Sequence, residues 1–387
     1  MGLLRHILLL SAFLLPGVLL AQEEADYDRS SLHIMMIKPL NAKYGDAVES
    51  VFRKMPFPER FNDHNLGVKC ISFAETGKDQ THNLKVFIEK TNIAQKMVAK
   101  WFNRDKRTGS FNMELIKERG TYNANLGKRM EARKSLRGLA LLEDAGELLL
   151  NHTYLLVNDI TYQSKGSGSW LFSTLAGNFG AIQNINGFQV TVRSYLFHLK
   201  WNEDLTMDFY KNYYTEDGTK EPEKVKAFLE SGASYEMELV GDVTNTLTEK
   251  QFRKLKDPET FLMMVTKRTI DANIADLQRA YPDFRIKAPL LSNMPLKADV
   301  GVKEGIREDS KFEVLERVVA EDGRMTYERV GLIRPVKGKI KDNRFMVSEE
   351  ESADALLDAT EFEIISGKDF LPGMLIREVY RSISKAS

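Results

Sequence analysis

The chain has 387 residues, 43% of them hydrophobic and 28% charged, a composition that excludes a fibrous, low-complexity or disordered protein. Lys+Arg 55 balance Asp+Glu 55, so no net charge draws the chain to nucleic acid or anionic lipid. A single cysteine excludes an intramolecular disulfide framework and any zinc or iron–sulfur centre built from the cysteines of one chain.

At the N-terminus, Arg5 precedes an apolar stretch from Ile7 to Leu20 that carries Pro16-Gly17 near its end. Ala21-Gln22 then opens an acidic run, Glu23, Glu24 and Asp26. The apolar stretch is too short to span about 30 Å of hydrocarbon comfortably. It reads as a cleavable secretory signal over residues 1–21. An exported chain with one unpaired cysteine, Cys70, fits a bacterial envelope better than a disulfide-rich extracellular setting. The expected location is the periplasm, or the periplasmic face of the outer membrane, of a Gram-negative cell.

Along the mature chain, Leu32 to Ile37 is a short apolar strand ended by Lys38-Pro39, and Gly45 to Met55 is a helix with Val48, Val51 and Phe52 on one face. Val68 to Phe73 and Leu84 to Ile88 read as strands. Ile93 to Phe102 reads as a helix, with Ile93, Met97 and Trp101 in one stripe. Phe111 to Ile116 alternates and predicts a strand. Leu139 to Leu150 reads as a helix, and Tyr154 to Ile160 as a strand inside a covered sheet. A Gly/Ser-rich interruption at 164–187 leads to a long alternating strand, Phe188 to Trp201. Glu221 to Glu230 is a short helix, Tyr235 to Val243 a strand, and Pro258 to Tyr281 a longer helix.

From Val300 the pattern changes to strands alone. Lys311 to Val319 meets Met325 to Val330 across Asp322-Gly323, a strong hairpin signal. These patterns predict an α+β fold, α/β-layered in the N-terminal and middle regions, followed by a small all-β barrel-like C-terminal domain. The boundary is expected near Leu291 to Lys297.

The run "FNMELIKERG" (Phe111 to Gly120) and the later "LLLNHTYLLVNDITY" (Leu148 to Tyr162) resemble the α/β module of the curli-secretion-protein and TolB N-terminal families. The segment Ala298 to Ile340 resembles the C-terminal barrel of the flagellar assembly protein T family. The expected domain plan is an N-terminal α/β region at 22–135, which neither family pattern covers, a TolB-like α/β unit at 136–296 with the Gly/Ser-rich insertion at 164–187, and a barrel-like domain at 297–387. The resemblance implies a structural role beneath the outer membrane, and it brings no catalytic residues.

A search for chemistry finds little. No histidine is followed by Glu, so the HExxH zinc motif is absent, and no Gly-Lys pair continues as a Walker A loop. Ser167 and Ser169 are not framed as a nucleophile elbow. No cofactor or metal is expected. His152, between a helix and a strand, is placed to cap a helix C-terminus, and His198 is expected on the solvent face of its strand. Cys70 reads as an inert small core residue.

The candidate contact residues fall in two groups. Lys128, Arg129, Arg133, Lys134 and Arg137 form the densest basic cluster, with Arg129, Arg133 and Arg137 in one helical stripe suited to an acidic partner or a lipid headgroup. Tyr195, Phe197 and Trp201 lie in the aromatic-rich strand, expected as an exposed edge that could extend a partner's sheet. The reading that follows is a non-enzymatic envelope scaffold or assembly factor binding other envelope proteins, with homo-oligomerisation and peripheral membrane contact compatible with it. The alternative is a subunit of an oligomeric secretion pore, with Trp170 to Ile182 and Phe188 to Trp201 as arms of an inserting hairpin.

Overall fold

The computed structural model describes residues 29–38, 45–72, 79–121, 146–164, 187–216, 218–219, 221–250, 258–319, 325–349 and 356–380. The signal segment, the basic cluster from Lys128 to Arg137, residues 165–186 of the Gly/Ser-rich interruption and the Asp322-Gly323 turn lie outside the described residues.

The first strand, β1 (Ser31–Ile37), is followed by α1 (Gly45–Lys54) and two short edge pieces, β2 (Asn62–Asp63) and β3 (Cys70–Ile71). Next come α2 (Gln80–Lys90), α3 (Ile93–Trp101) and α4 (Glu114–Thr121). Two long strands, β4 (Thr153–Ser164) and β5 (Gly187–Leu199), precede α5 (Glu203–Asn212) and α6 (Pro222–Glu230). Strand β6 (Met237–Lys250) and the long helix α7 (Pro258–Ala280) complete the α/β part. The sheet order is β2-β1-β4-β5-β6, with β3 beside β2 on the same edge of β1. β1 runs parallel to β4, whereas β4, β5 and β6 form an antiparallel meander.

Period-two alternation sends the side chains of this sheet to two cores. Met35, Ile37, Leu155, Val157, Tyr195, Phe197 and Leu199 meet Trp101, Phe102, Phe111, Phe209 and Phe228 on the face covered by α3, α5 and α6. Leu32, Met36, Leu156, Ile160, Val190 and Val192 meet Val48 and Val51 of α1 and Phe261, Val265 and Leu277 of α7 on the other. The result is a layered α/β unit with a mixed sheet in the middle, as the alternating pattern predicts.

Two expected strands are helical. Leu84 to Ile88 belongs to α2, whose N-terminus is capped by Asp79 accepting the His82 N–H at 2.8 Å. Leu84 and Ile88 sit one turn apart, so the same apolar residues satisfy a helical stripe, and both are buried. Phe111 to Ile116 makes only an isolated bridge from Phe111 to Glu216. Asn112 Oδ1 then accepts the Glu114 N–H at 3.1 Å and starts α4, so Arg119 rides on a helix. Of the expected strand Val68 to Phe73, Cys70 and Ile71 pair with β1, and Phe73 lies outside the described residues.

The all-β region is a closed barrel in the order β10-β11-β8-β7-β12-β9. Its strands are β7 (Ala288–Asn293), β8 (Leu296–Ala298), β9 (Phe312–Val319), β10 (Met325–Pro335), β11 (Thr360–Ser366) and β12 (Leu375–Glu378). β9 and β10 pair antiparallel with Val319 opposite Met325, the hairpin read from the sequence. The first barrel strand starts at Ala288, ahead of the expected boundary, because the Met294-Pro295 turn pairs β7 directly with β8. Ala288, Leu290, Val314, Ile333, Phe362 and Ile376 fill the interior. The barrel docks on α7, where Arg279 bonds the Gly305 carbonyl and Arg268 Nε donates to the Phe345 carbonyl at 2.9 Å.

Candidate functional site

The three aromatic contact residues are not on a surface. Tyr195 and Phe197 are fully buried and Trp201 nearly so, inside the core beneath α3 and α5. Phe188–Trp201 is also not an edge. Its strand portion, β5, is hydrogen-bonded to β4 on one side and β6 on the other. A largely apolar strand reads alike whether it is an exposed aromatic edge or a central strand with both faces covered. The second arm of the inserting hairpin is therefore a central strand of this sheet. The first arm, Trp170 to Ile182, lies outside the described residues, as do the five basic residues.

The histidines sort by burial. His152 Nδ1 bonds the Leu148 carbonyl at 2.8 Å across the last turn of the helical segment 146–151, the capping role expected of it. His198 is half-buried, not solvent-facing, with Nε2 on the Asn151 carbonyl at 2.6 Å and its ring against Tyr154. The Cys70 thiol is half-buried and pushed up to about 11, by burial and then by the Glu49 carboxylate, so it is held as an inert thiol.

A polar cluster sits where β1 meets the turn after β2. His64 is fully buried; its Nε2–H donates to the Met97 carbonyl at 3.0 Å and its Nδ1 faces Arg119 Nη1 at 3.2 Å, which assigns the neutral tautomer. Arg119 also donates to Ser31 Oγ at 2.8 Å and to the Asp63 carbonyl at 2.9 Å, and lies over the Trp101 ring. Trp101 Nε1 donates to Thr153 Oγ1, which donates onward to the Leu149 carbonyl, each at 2.9 Å. Burial, and then the Arg119 charge, hold His64 well below its ordinary value.

Next to it His33 takes the Leu66 N–H on Nδ1 at 3.4 Å. Its Nε2 faces the Val68 carbonyl without a hydrogen bond of ordinary geometry. Burial, then Lys100, push His33 down to about 4.

His33 lines a small pocket at the gap between β2 and β3, together with Phe52, Phe57, Asp63, Lys69 and Lys267. Lys267 is committed to a buried ion pair with Asp271 one turn on. The volume is about 60 Å³, room for one or two waters but far below the roughly 300 Å³ of a metabolite site. A neutral histidine, a paired lysine and so little space describe a structural joint, not an acid–base site. Among the described residues no group of three or more His, Cys, Asp or Glu is arranged to hold a metal. No described helix is long and apolar enough to cross a membrane.

The features that face outward are different. The pairing of β11 with β8 ends at Phe362 and Leu296, so Ile364 and Ile365 run on toward the barrel end that carries the Met294-Pro295 turn, and the pairing of β12 with β7 brings the turn before β12 to the same end as Leu291. Met294, Leu371, Ile364, Ile365 and Leu291 are all exposed there, Met294 at 88%. No family model matches the chain, and no curated protein matches it. Phe370, in the turn before β12, is buried in the barrel core. It packs so closely on Gly331 that a Cβ there would lie 2.3 Å from its ring. Sequence reasoning missed these residues because they are spread over two turns and two strands, β7 and β11, and no periodicity links them.

Proposed function

We propose that the protein is an exported cell-envelope scaffold or assembly factor that acts by binding another envelope protein through the mouth of its C-terminal barrel. The observation that carries this reading is the group of five exposed large apolar side chains, Leu291, Met294, Ile364, Ile365 and Leu371, gathered at one end of a closed barrel. Scattered exposed hydrophobics need no explanation, but five large ones brought to the same end of a barrel by three separate segments are the kind of surface that marks a contact site. An exposed methionine supplies an adaptable, polarizable contact, and the Ile and Leu side chains around it would exclude water from the interface.

The test places a photo-reactive amino acid at Met294 in cells and, as a control, at Thr161, an exposed residue of β4 in the α/β sheet. A discrete adduct from position 294, lost in the Leu371→Asp and Ile364→Asp variants and absent from position 161, supports the reading. No adduct at 294, or equal adducts at both positions, overturns it. Protease accessibility in intact and permeabilised cells tests the expected export separately.

A further inference from the structure

Among the described residues the α/β sheet ends in a long strand, β6, with no strand on its outer side. β6 pairs with β5 along its whole length. Its first half is shielded. Met237 is buried, the register slips between Leu196 and Phe197, and the Tyr281 hydroxyl stands so close to Gly241 that no Cβ would fit. Such a bulge is a common means of blunting an edge.

From Asp242 onward that protection stops. Thr244, Thr246, Thr248 and Lys250 are exposed on one face, the segment contains no proline, and its one inward-facing charge, Glu249, sits next to its end beside Arg268. The same face continues across the sheet as rows of short polar side chains, with Thr161 opposite Thr191 and Thr191 opposite Thr246. Thr191 and Thr246 are hydrogen-bonded at 2.8 Å, so the outermost row is flat and held in place.

We propose that β6 pairs with β6 of a second copy of this chain, antiparallel across a two-fold axis at Thr246, joining the two sheets into one. The occupant follows from charge and register. An isologous antiparallel pair brings each residue opposite its mirror position about the axis. Thr246 is the midpoint of the open half, Asp242 to Lys250. Centring the pair there keeps it clear of the bulge, and it sets Asp242 opposite the partner's Lys250 and Thr244 opposite the partner's Thr248. Lys250 makes no ion pair among the described residues, and Asp242 carries only Arg193, at 2.8 Å. Opposite charges and Thr–Thr pairs directly across an antiparallel ladder are both favourable. Moving the axis by one residue places Lys250 opposite Val240 inside the bulge and leaves both charges unmatched. The surface is distinct from the barrel mouth, so the dimer stands or falls independently of the proposed function.

The experiment is light scattering on the purified mature chain over a concentration series, using the wild type and the exposed-site variants Thr246→Glu and Thr246→Lys. The wild type is expected to reach twice the chain mass. Each variant puts two like charges face to face on the axis and should raise the concentration for half-dimerisation at least tenfold. An equimolar mixture of the two variants places Glu opposite Lys and should restore the dimer. Circular dichroism melts matching the wild type exclude misfolding as the cause. A wild type that stays monomeric to about 100 μM, where even a weak dimer would be visible, overturns the proposal. So does a dimer that both variants leave unchanged, or a mixture no more dimeric than either variant alone.

Discussion

Mild acid should destabilise this fold through its buried histidines, opposed only by Asp271, the one described carboxyl that burial pushes up. His33 is pushed down from 6.5 to about 4 by burial and then by Lys100. His64 lies well below 6.5 through burial and then Arg119, and His198 is shifted the same way by burial. Unfolding releases each ring to water, where it takes up a proton near pH 6.5. The folded value is the lower one, so the contribution is complete above pH 6.5 and is lost as pH falls toward the folded value. Each buried histidine then removes about 1.4 kcal/mol per pH unit. From pH 6.5 down to about 4, His33 alone removes up to about 3 kcal/mol, against a typical total of about 5–15 kcal/mol for a domain. The assay is urea denaturation at steps from pH 7.5 to 5.0. Glu49, held below its usual range by Lys38 and Arg53, is still ionised there. The expected slope below pH 6.5 is about 3 kcal/mol per unit for His33 and His64 together. It should fall by about half in His33→Gln or His64→Asn. A flat profile, or a slope that neither substitution changes, refutes the burial argument.

Phe197→Ala should cost about 3–5 kcal/mol by urea denaturation, because Phe197 is fully buried among α3 and α5; a loss under about 1 kcal/mol would mean the strand face is open. A barrel fragment starting before Ala288 should melt cooperatively, whereas one starting at Lys297 lacks β7 and leaves both β8 and β12 without a partner strand on that side. Equal melts for the two fragments would remove β7 from the folding unit. Cys70 should react slowly with iodoacetamide at neutral pH and about tenfold faster per pH unit until near 11; a rate matching the urea-unfolded chain at pH 7.5 would show an ordinary exposed thiol.

Much of the architecture was legible in residue order. Apolar runs such as Tyr154 to Ile160 can only be satisfied inside a covered sheet, and the Ile93, Met97, Trp101 stripe can only be buried as a helix. The switch to strands after Val300 announced the barrel, since period-two alternation and turn chemistry are local properties. What failed locally did so where two patterns share the same residues. Leu84 and Ile88 fit a strand or a helix, and the choice fell to the Asp79 cap and to the core beneath.

The contact surfaces are another matter. Whether Tyr195, Phe197 and Trp201 meet a partner or the core depends on which strand lies beside β5, and that is set by pairing residues dozens of positions apart. The outer side of β6 and the apolar barrel mouth have the same origin. Both are defined by what other segments leave uncovered, a property of the closed topology that no window of sequence contains. Composition and periodicity thus determined the layers and the barrel by themselves. Exposure, and with it every candidate for function, was decided only when distant strands took their places, because burial is a relation between segments and not a property of one.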